Sequence, residues 1–247
     1  MKKQIATPFD SDAAKRAVIK VGGGRGFVME IAEPNPSKKE VMVMGKRYPL
    51  PRFIRRRIVM TAAHCLPHLP PAHPWADTHE KTYRILGLLG TRPTILAECL
   101  FADPVDDLAV LGAPDSNVYD RAVDRWHTLM EKTNSLAIDV EKLERHTTGW
   151  LLFINGRWNR CTVRRGGQRG IWIANATNGI VAGMSGSPIL SDNGRVIGLV
   201  SNSSGPQPFL ARSLPVWLVE SLRNDTTTKE KGSHGTTSKT GKEEGQP

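Results

Sequence analysis

From Val21 to Val200 the apolar residues come in short runs rich in β-branched side chains, interrupted again and again by Gly, Pro, Asn or Asp. Runs of this length, separated by turn residues, read as strands of an antiparallel all-β protein, in barrels or a sandwich. In the first half the runs at 26–31, 57–62, 83–88, 94–101 and 108–111 read as strands of one closed sheet. In the second half 150–154 and 157–163 flank Asn155-Gly156, a pair that tolerates the positive φ angles of a tight hairpin. The runs 171–174, 188–190 and 196–200 continue a second sheet, with Asp192-Asn193-Gly194 as the turn between the last two. Two antiparallel six-stranded β-barrels sharing a cleft use 247 residues comfortably.

Two segments depart from this pattern. Val118, Ala122, Val123, Trp126 and Met130 follow a 3.6-residue period behind Asp115 and Ser116 as N-caps, which predicts a helical connection between the barrels. Leu214, Trp217, Leu218 and Leu222 predict a C-terminal helix, opened by Ser213 with Pro215 in its first turn. The expected organisation is an N-terminal extension over 1–20, a first barrel over 21–112, a partly helical connection over 113–148, and a second barrel with its helix over 149–223. The remaining 224–247 has no large apolar residue and is expected to be a disordered tail.

The formal net charge is +10, and Arg52, Arg55, Arg56 and Arg57 cluster before an apolar segment. No stacking aromatics, zinc finger or recognition helix accompany them, so specific nucleic-acid binding is not expected. No run approaches the ~20 apolar residues that span a bilayer, and Met1 to Lys20 lacks a secretory core, so a cytoplasmic chain without membrane contact is expected. Cys65, Cys99 and Cys161 are odd in number and lack disulfide or metal spacing. Free thiols are expected. His64, His68, His73 and His79 could suggest zinc, but Pro67, Pro70, Pro71 and Pro74 exclude the helix face that would gather them. Neither metal nor other cofactor is expected.

Three stretches carry chemistry: Thr61-Ala62-Ala63-His64-Cys65, Asp107-Leu108-Ala109-Val110-Leu111 and Gly183-Met184-Ser185-Gly186-Ser187-Pro188. Alone, each has a plain structural reading: a core histidine, a turn acid, a glycine-serine loop. Together they supply a hydroxyl nucleophile, a base that takes its proton near neutral pH, and a carboxylate that fixes the base's tautomer. The flanking glycines let the backbone turn sharply and aim the amides of Gly183 and Ser185 at one developing oxyanion. A side chain at 183 is expected to obstruct that approach.

In this order the stretches resemble the histidine, aspartate and serine motifs of the trypsin-like, chymotrypsin-fold serine peptidases, over roughly Val21 to Leu222. The resemblance implies two β-barrels with the site in the cleft between them. It makes Ser185 the nucleophile, His64 the general base and acid, and Asp107 rather than Asp106 the orienting carboxylate. Leu199-Val200-Ser201-Asn202 resembles the strand lining the substrate cleft: Ser201 would bond the carboxylate and the backbone would pair with a protein or peptide substrate. Gly179 falls where trypsin-type members place their specificity acid. Two departures stand out. Met184 replaces the acid that pairs with a freshly cut N-terminus in zymogen-type relatives, so activity without such a cut is expected. Cys65 has no cysteine partner between Gly22 and Met60. A catalytically silent peptide-binding module and a basic nucleic-acid binder are the competing functions, and the sequence sets no oligomeric state.

Overall fold

The computed structural model describes residues 7–34, 40–43, 46–49, 53–72, 77–139, 144–166, 170–176, 179–202 and 209–213. A short helix α1 (Ser11–Arg16) opens it, capped by the Asp10 carboxylate, which accepts from the amides of Asp12 and Ala13. The first closed barrel follows, built from β1 (Val18–Val21), β2 (Gly24–Pro34), β5 (Phe53–Thr61), β6 (Thr82–Leu88), β7 (Ile95–Asp103) and β8 (Leu108–Gly112) in the order β1-β2-β5-β8-β7-β6. A two-stranded ribbon, β3 (Glu40–Val43) with β4 (Lys46–Pro49), lies between β2 and β5 in the chain.

The second closed barrel runs β10-β11-β14-β13-β12-β9. Its strands are β9 (His146–Leu152), β10 (Trp158–Gly166), β11 (Gly170–Ala174), β12 (Pro188–Leu190), β13 (Val196–Asn202) and β14 (Phe209–Ser213). Closure leaves neither sheet with an unpaired edge. Phe27, Met29, Met60, Leu86 and Leu111 are buried in the first core, and Leu151, Ile171, Ile173, Met184 and Ile189 in the second.

The expected connecting helix is α2 (Ser116–Glu131), with the Asp115 carboxylate accepting from the Asn117 amide. Its two halves differ. Trp126, Leu129 and Met130 are buried, whereas Val118 is 44% exposed and Tyr119 leaves helical dihedrals. Arg57 closes its C-terminal end, donating to the carbonyls of Met130 and Thr133. The predicted C-terminal helix from Leu214 and the tail at 224–247 lie outside the described residues. Ser213, expected as that helix's cap, is the last residue of β14. The 155–156 hairpin forms with a longer loop than expected: β9 stops at Leu152, and Gly156 alone of the pair takes positive φ (75°).

The N-terminal segment is an unforeseen strap on the second barrel. Phe9 packs edge-on against Trp150 (6.0 Å) and Trp158 (5.5 Å), and the Trp158 indole donates to the Ser11 carbonyl. Among the described residues no helix is long and apolar enough to cross a membrane, and Cys65, Cys99 and Cys161 are free and buried.

The barrels meet at Arg25 and Gly186. The Arg25 side chain is buried and donates to the carbonyls of Leu152 (2.5 Å) and Phe153 (3.2 Å) across the junction. Its own carbonyl accepts the Thr61 hydroxyl at 2.6 Å. Gly186 adopts φ +77°, and a Cβ there would sit 2.1 Å from the Arg25 carbonyl oxygen. By contrast, a Cβ on Gly23 would meet nothing within 4 Å. Gly186→Ala is therefore expected to cost at least about 3 kcal/mol of stability. Gly23→Ala should stay within about 0.5 kcal/mol of the parent. Denaturant unfolding monitored by tryptophan fluorescence checks this; equal midpoints for the two variants would refute the junction as described.

Candidate active site

Each candidate residue is delivered by a strand end or a tight turn. β5 ends at Thr61 and passes into a 3-10 turn, Ala63–Cys65, that presents His64. On the neighbouring β7–β8 connection, the Asp103 carboxylate accepts from the amides of Val105 and Asp106. This turn leaves Asp107 at φ +50°, a conformation that Asp tolerates better than most residues. It is Asp107, not Asp106, that reaches His64. Its Oδ2 lies 2.8 Å from Nδ1, and its Oδ1 accepts from the His64 main-chain amide at 3.0 Å.

Ser201 completes the carboxylate's surroundings, donating from Oγ to Oδ2 at 2.5 Å. A register shift in the β13–β14 pairing lies between Val200 and Asn202, so Ser201 sits on a bulge, a device that re-aims one side chain off a strand. Burial alone would push the Asp107 carboxyl up. Donors from the His64 ring, Ser201 and the His64 amide outweigh it and hold the group below the usual carboxylate range. The hydrogen bond to Asp107 in turn raises His64 above its ordinary value, against the opposing effect of burial. With Nδ1 turned to the carboxylate and the side chain 49% exposed, neutral His64 carries its lone pair on Nε2, free to take a proton.

Ser185 comes from the other barrel. Its carbonyl accepts from the Arg25 amide at 2.7 Å, and the Cys65 thiol lies 3.6 Å from the same oxygen. The Ser185 turn is thus tied to the residue after His64. Burial pushes the Cys65 thiol up, keeping it protonated. Gly24 leaves this approach open, since a Cβ there would lie 2.6 Å from the Ser185 oxygen. On the following residue, Gly186 N donates to Val200 O at 2.7 Å, and Val200 N to Ser187 O at 2.9 Å.

Gly183 takes φ +87°, and neither its amide nor that of Ser185 donates a hydrogen bond among the described residues. Neighbouring protein atoms do not crowd position 183. A Cβ there would find Gly23 O at 3.7 Å and Ile154 Cδ1 at 3.8 Å, ordinary contacts, so the backbone angle is what demands glycine. Gly179 is also a turn glycine, at φ +67°, with its amide donating to Ala176 O. Both main-chain groups of Val200 are used internally, and the Asn202 side chain lies outside the described residues. Asp192 accepts from the Trp150 indole at 2.7 Å.

Sequence reasoning passed over Arg25 and Thr61. The Gly22-Gly23-Gly24 run before Arg25 was the available signal, since consecutive glycines mark close backbone approach. Of the other histidines, His79 Nδ1 contacts the Tyr119 hydroxyl, His68 Nδ1 lies 3.3 Å from Leu69 O, and His73 is outside the described residues. In the arginine cluster, Arg55 pairs with Glu30 at 2.8 Å and Arg57 caps α2, while Arg52 lies outside the described residues.

Two closed six-stranded barrels, with His64 and Asp107 on one and Ser185 on the other at their junction, decide the architecture. The chain has the two-barrel chymotrypsin fold. No family model matches it, and no curated protein does. Among solved structures it is similar to Rv3671c from M. tuberculosis H37Rv in an inactive form, at 16% identity, covering 95% of this chain and 99% of that one, TM-score 0.45. It is also similar to a human pathogenic astrovirus serine protease, at 13% identity over 81% of this chain and 89% of that one, TM-score 0.45. A third likeness is the HtrA-type protease AlgW with a decapeptide, at 15% identity over 89% of this chain and 68% of that one, TM-score 0.42.

The raised His64 value has a signed consequence. Below about 6.5 the ring is protonated in both folded and unfolded chains, and its contact with Asp107 stabilises the fold; that contribution is lost as pH rises through the folded value. By NMR, His64 should titrate with a midpoint above 6.5. In Asp107→Asn the midpoint should fall below that of the parent; identical midpoints would show that the carboxylate is not the cause.

Proposed function

We propose that the chain is a serine endopeptidase of the trypsin-like kind, cutting peptide bonds through an acyl-enzyme on Ser185. The observation that carries this reading is the hydrogen-bonded line Ser201–Asp107–His64 at the junction where the Ser185 turn is held. Ser185 Oγ would attack the scissile carbonyl carbon while its proton passes to His64 Nε2, and Asp107 would stabilise the imidazolium through Nδ1–H. The amides of Gly183 and Ser185, unspent among the described residues, would receive the oxyanion. The proton on Nε2 would then go to the leaving amine. Water, activated by the same nitrogen, would release the acyl group.

Met184 supports activity without an N-terminal ion pair, because its side chain is fully buried in the second core where a carboxylate would lack a partner. Substrate pairing falls to Ser201 and beyond, since Val200 is bonded to the nucleophile's own turn. The pocket for the residue before the scissile bond would be walled by 176–183 and 200–205, with Gly179 at its base. Neither wall contains Asp or Glu, and Asp192, the one acid between Cys161 and Val219, is held by Trp150. A substrate Lys or Arg would be desolvated there without a counter-charge, at a cost of several kcal/mol. Small or medium apolar residues fit better.

The intact chain should react with a fluorophosphonate probe at Ser185, and Ser185→Ala should abolish labelling. Asp107→Asn should slow peptide turnover about 10⁴-fold by favouring the wrong tautomer. A folded parent that resisted the probe would leave the silent peptide-binding module as the better account. A peptide-library profile should show cutting after apolar residues; dominant Ser185-dependent cutting after Lys or Arg would overturn the pocket assignment while keeping the triad.

A further inference from the structure

A second feature of the first barrel is independent of the peptidase reading. Between the outer face of β6–β7 and the first half of α2 lies an open groove of about 450 Å³, and no residue of the proposed triad lines it. Three arginines do: Arg84 on β6, and Arg121 with Arg125, one turn apart on α2. Asp120 is the one acid on its walls, and none of the three guanidiniums has an ion pair or side-chain hydrogen bond among the described residues. By contrast, Arg25 is engaged by two carbonyls, Arg55 by Glu30 and Arg57 by the end of α2.

Like charges at i and i+4 weaken a helix, and a third cation facing them from the sheet adds to the repulsion. An anion bound between them relieves it. Guanidinium forks match carboxylates in two-pronged geometry. Leu96 and the exposed Val118 add apolar surface to the same groove. The aromatic ring here, Tyr119, is packed edge-on against His79, which holds its hydroxyl, so it offers no free platform for stacking bases. We propose that this groove binds an acidic peptide segment with interspersed apolar residues, carried by a partner protein and docked away from the junction of the barrels.

The test uses full-length Ser185→Ala, so that no peptide is cut, and fluorescence anisotropy with a labelled peptide of repeating Glu-Glu-Leu. The acidic peptide should bind at least about tenfold more tightly than its Gln-Gln-Leu counterpart and weaken with salt. The Arg84→Ala, Arg121→Ala, Arg125→Ala triple variant should lose that preference, as should the single reversal Arg121→Glu. Arg164→Ala with Arg165→Ala, exposed on β10, should retain it. Thermal melts confirm folding of each variant. Equal binding of the two peptides, or an unchanged preference in both groove variants, would overturn the proposal. So would an oligothymidylate that displaces the peptide through the same arginines, which would mark the groove as a phosphate-backbone site.

Discussion

Everything at the junction depends on how closely the Gly186 backbone approaches the Arg25 carbonyl. The approach requires a residue with no side chain at φ +77°, and that residue directly follows Ser185. Once it is made, Gly186 N bonds Val200 O within the second barrel and Ser185 O accepts Arg25 N from the first. The Ser185–Gly186 turn is thus clamped between main-chain bonds to opposite barrels. Its position follows from the fit of two closed sheets, which deform less readily than a loop.

The same junction sets the electrostatics. Asp107 is drawn in far enough for desolvation to oppose its charge, yet donors from three directions keep it ionised. One donor comes from the second barrel, through the bulge at Ser201. Ser201 thus ties the carboxylate that holds His64 within the first barrel to a strand of the second.

Much of this was legible in the sequence because it rests on local rules. β-branched runs between turn residues gave the strands, Asp115 ahead of a 3.6-residue period gave α2, and Asn155-Gly156 gave a hairpin. Other elements were missed: β1 is only four residues long, β14 follows a Gly- and Pro-containing stretch, and α1 is too short for its period to register. The hairpin loop was read as tighter than it is because Gly156 alone supplies the positive φ. Arg25, among glycines, reads as a loop cation; its burial follows from two carbonyls that the second barrel brings to it. The demand for glycine at 183 was legible as a sharp backbone turn, and the positive φ there is its structural form.

The net charge of +10 is likewise not one property. Part is structural: Arg25 is consumed by carbonyls, and Arg57 stands at the negative end of α2. The remainder gives the surface a positive field that extends about 10 Å at ordinary ionic strength. Such a field disfavours the approach of cationic peptides before any pocket contact is made. The acid-free walls beside Ser185 act in the same direction at short range. Under the proposed peptidase function, approach and recognition would therefore select alike, for substrates that are apolar at the cut and acidic beyond it.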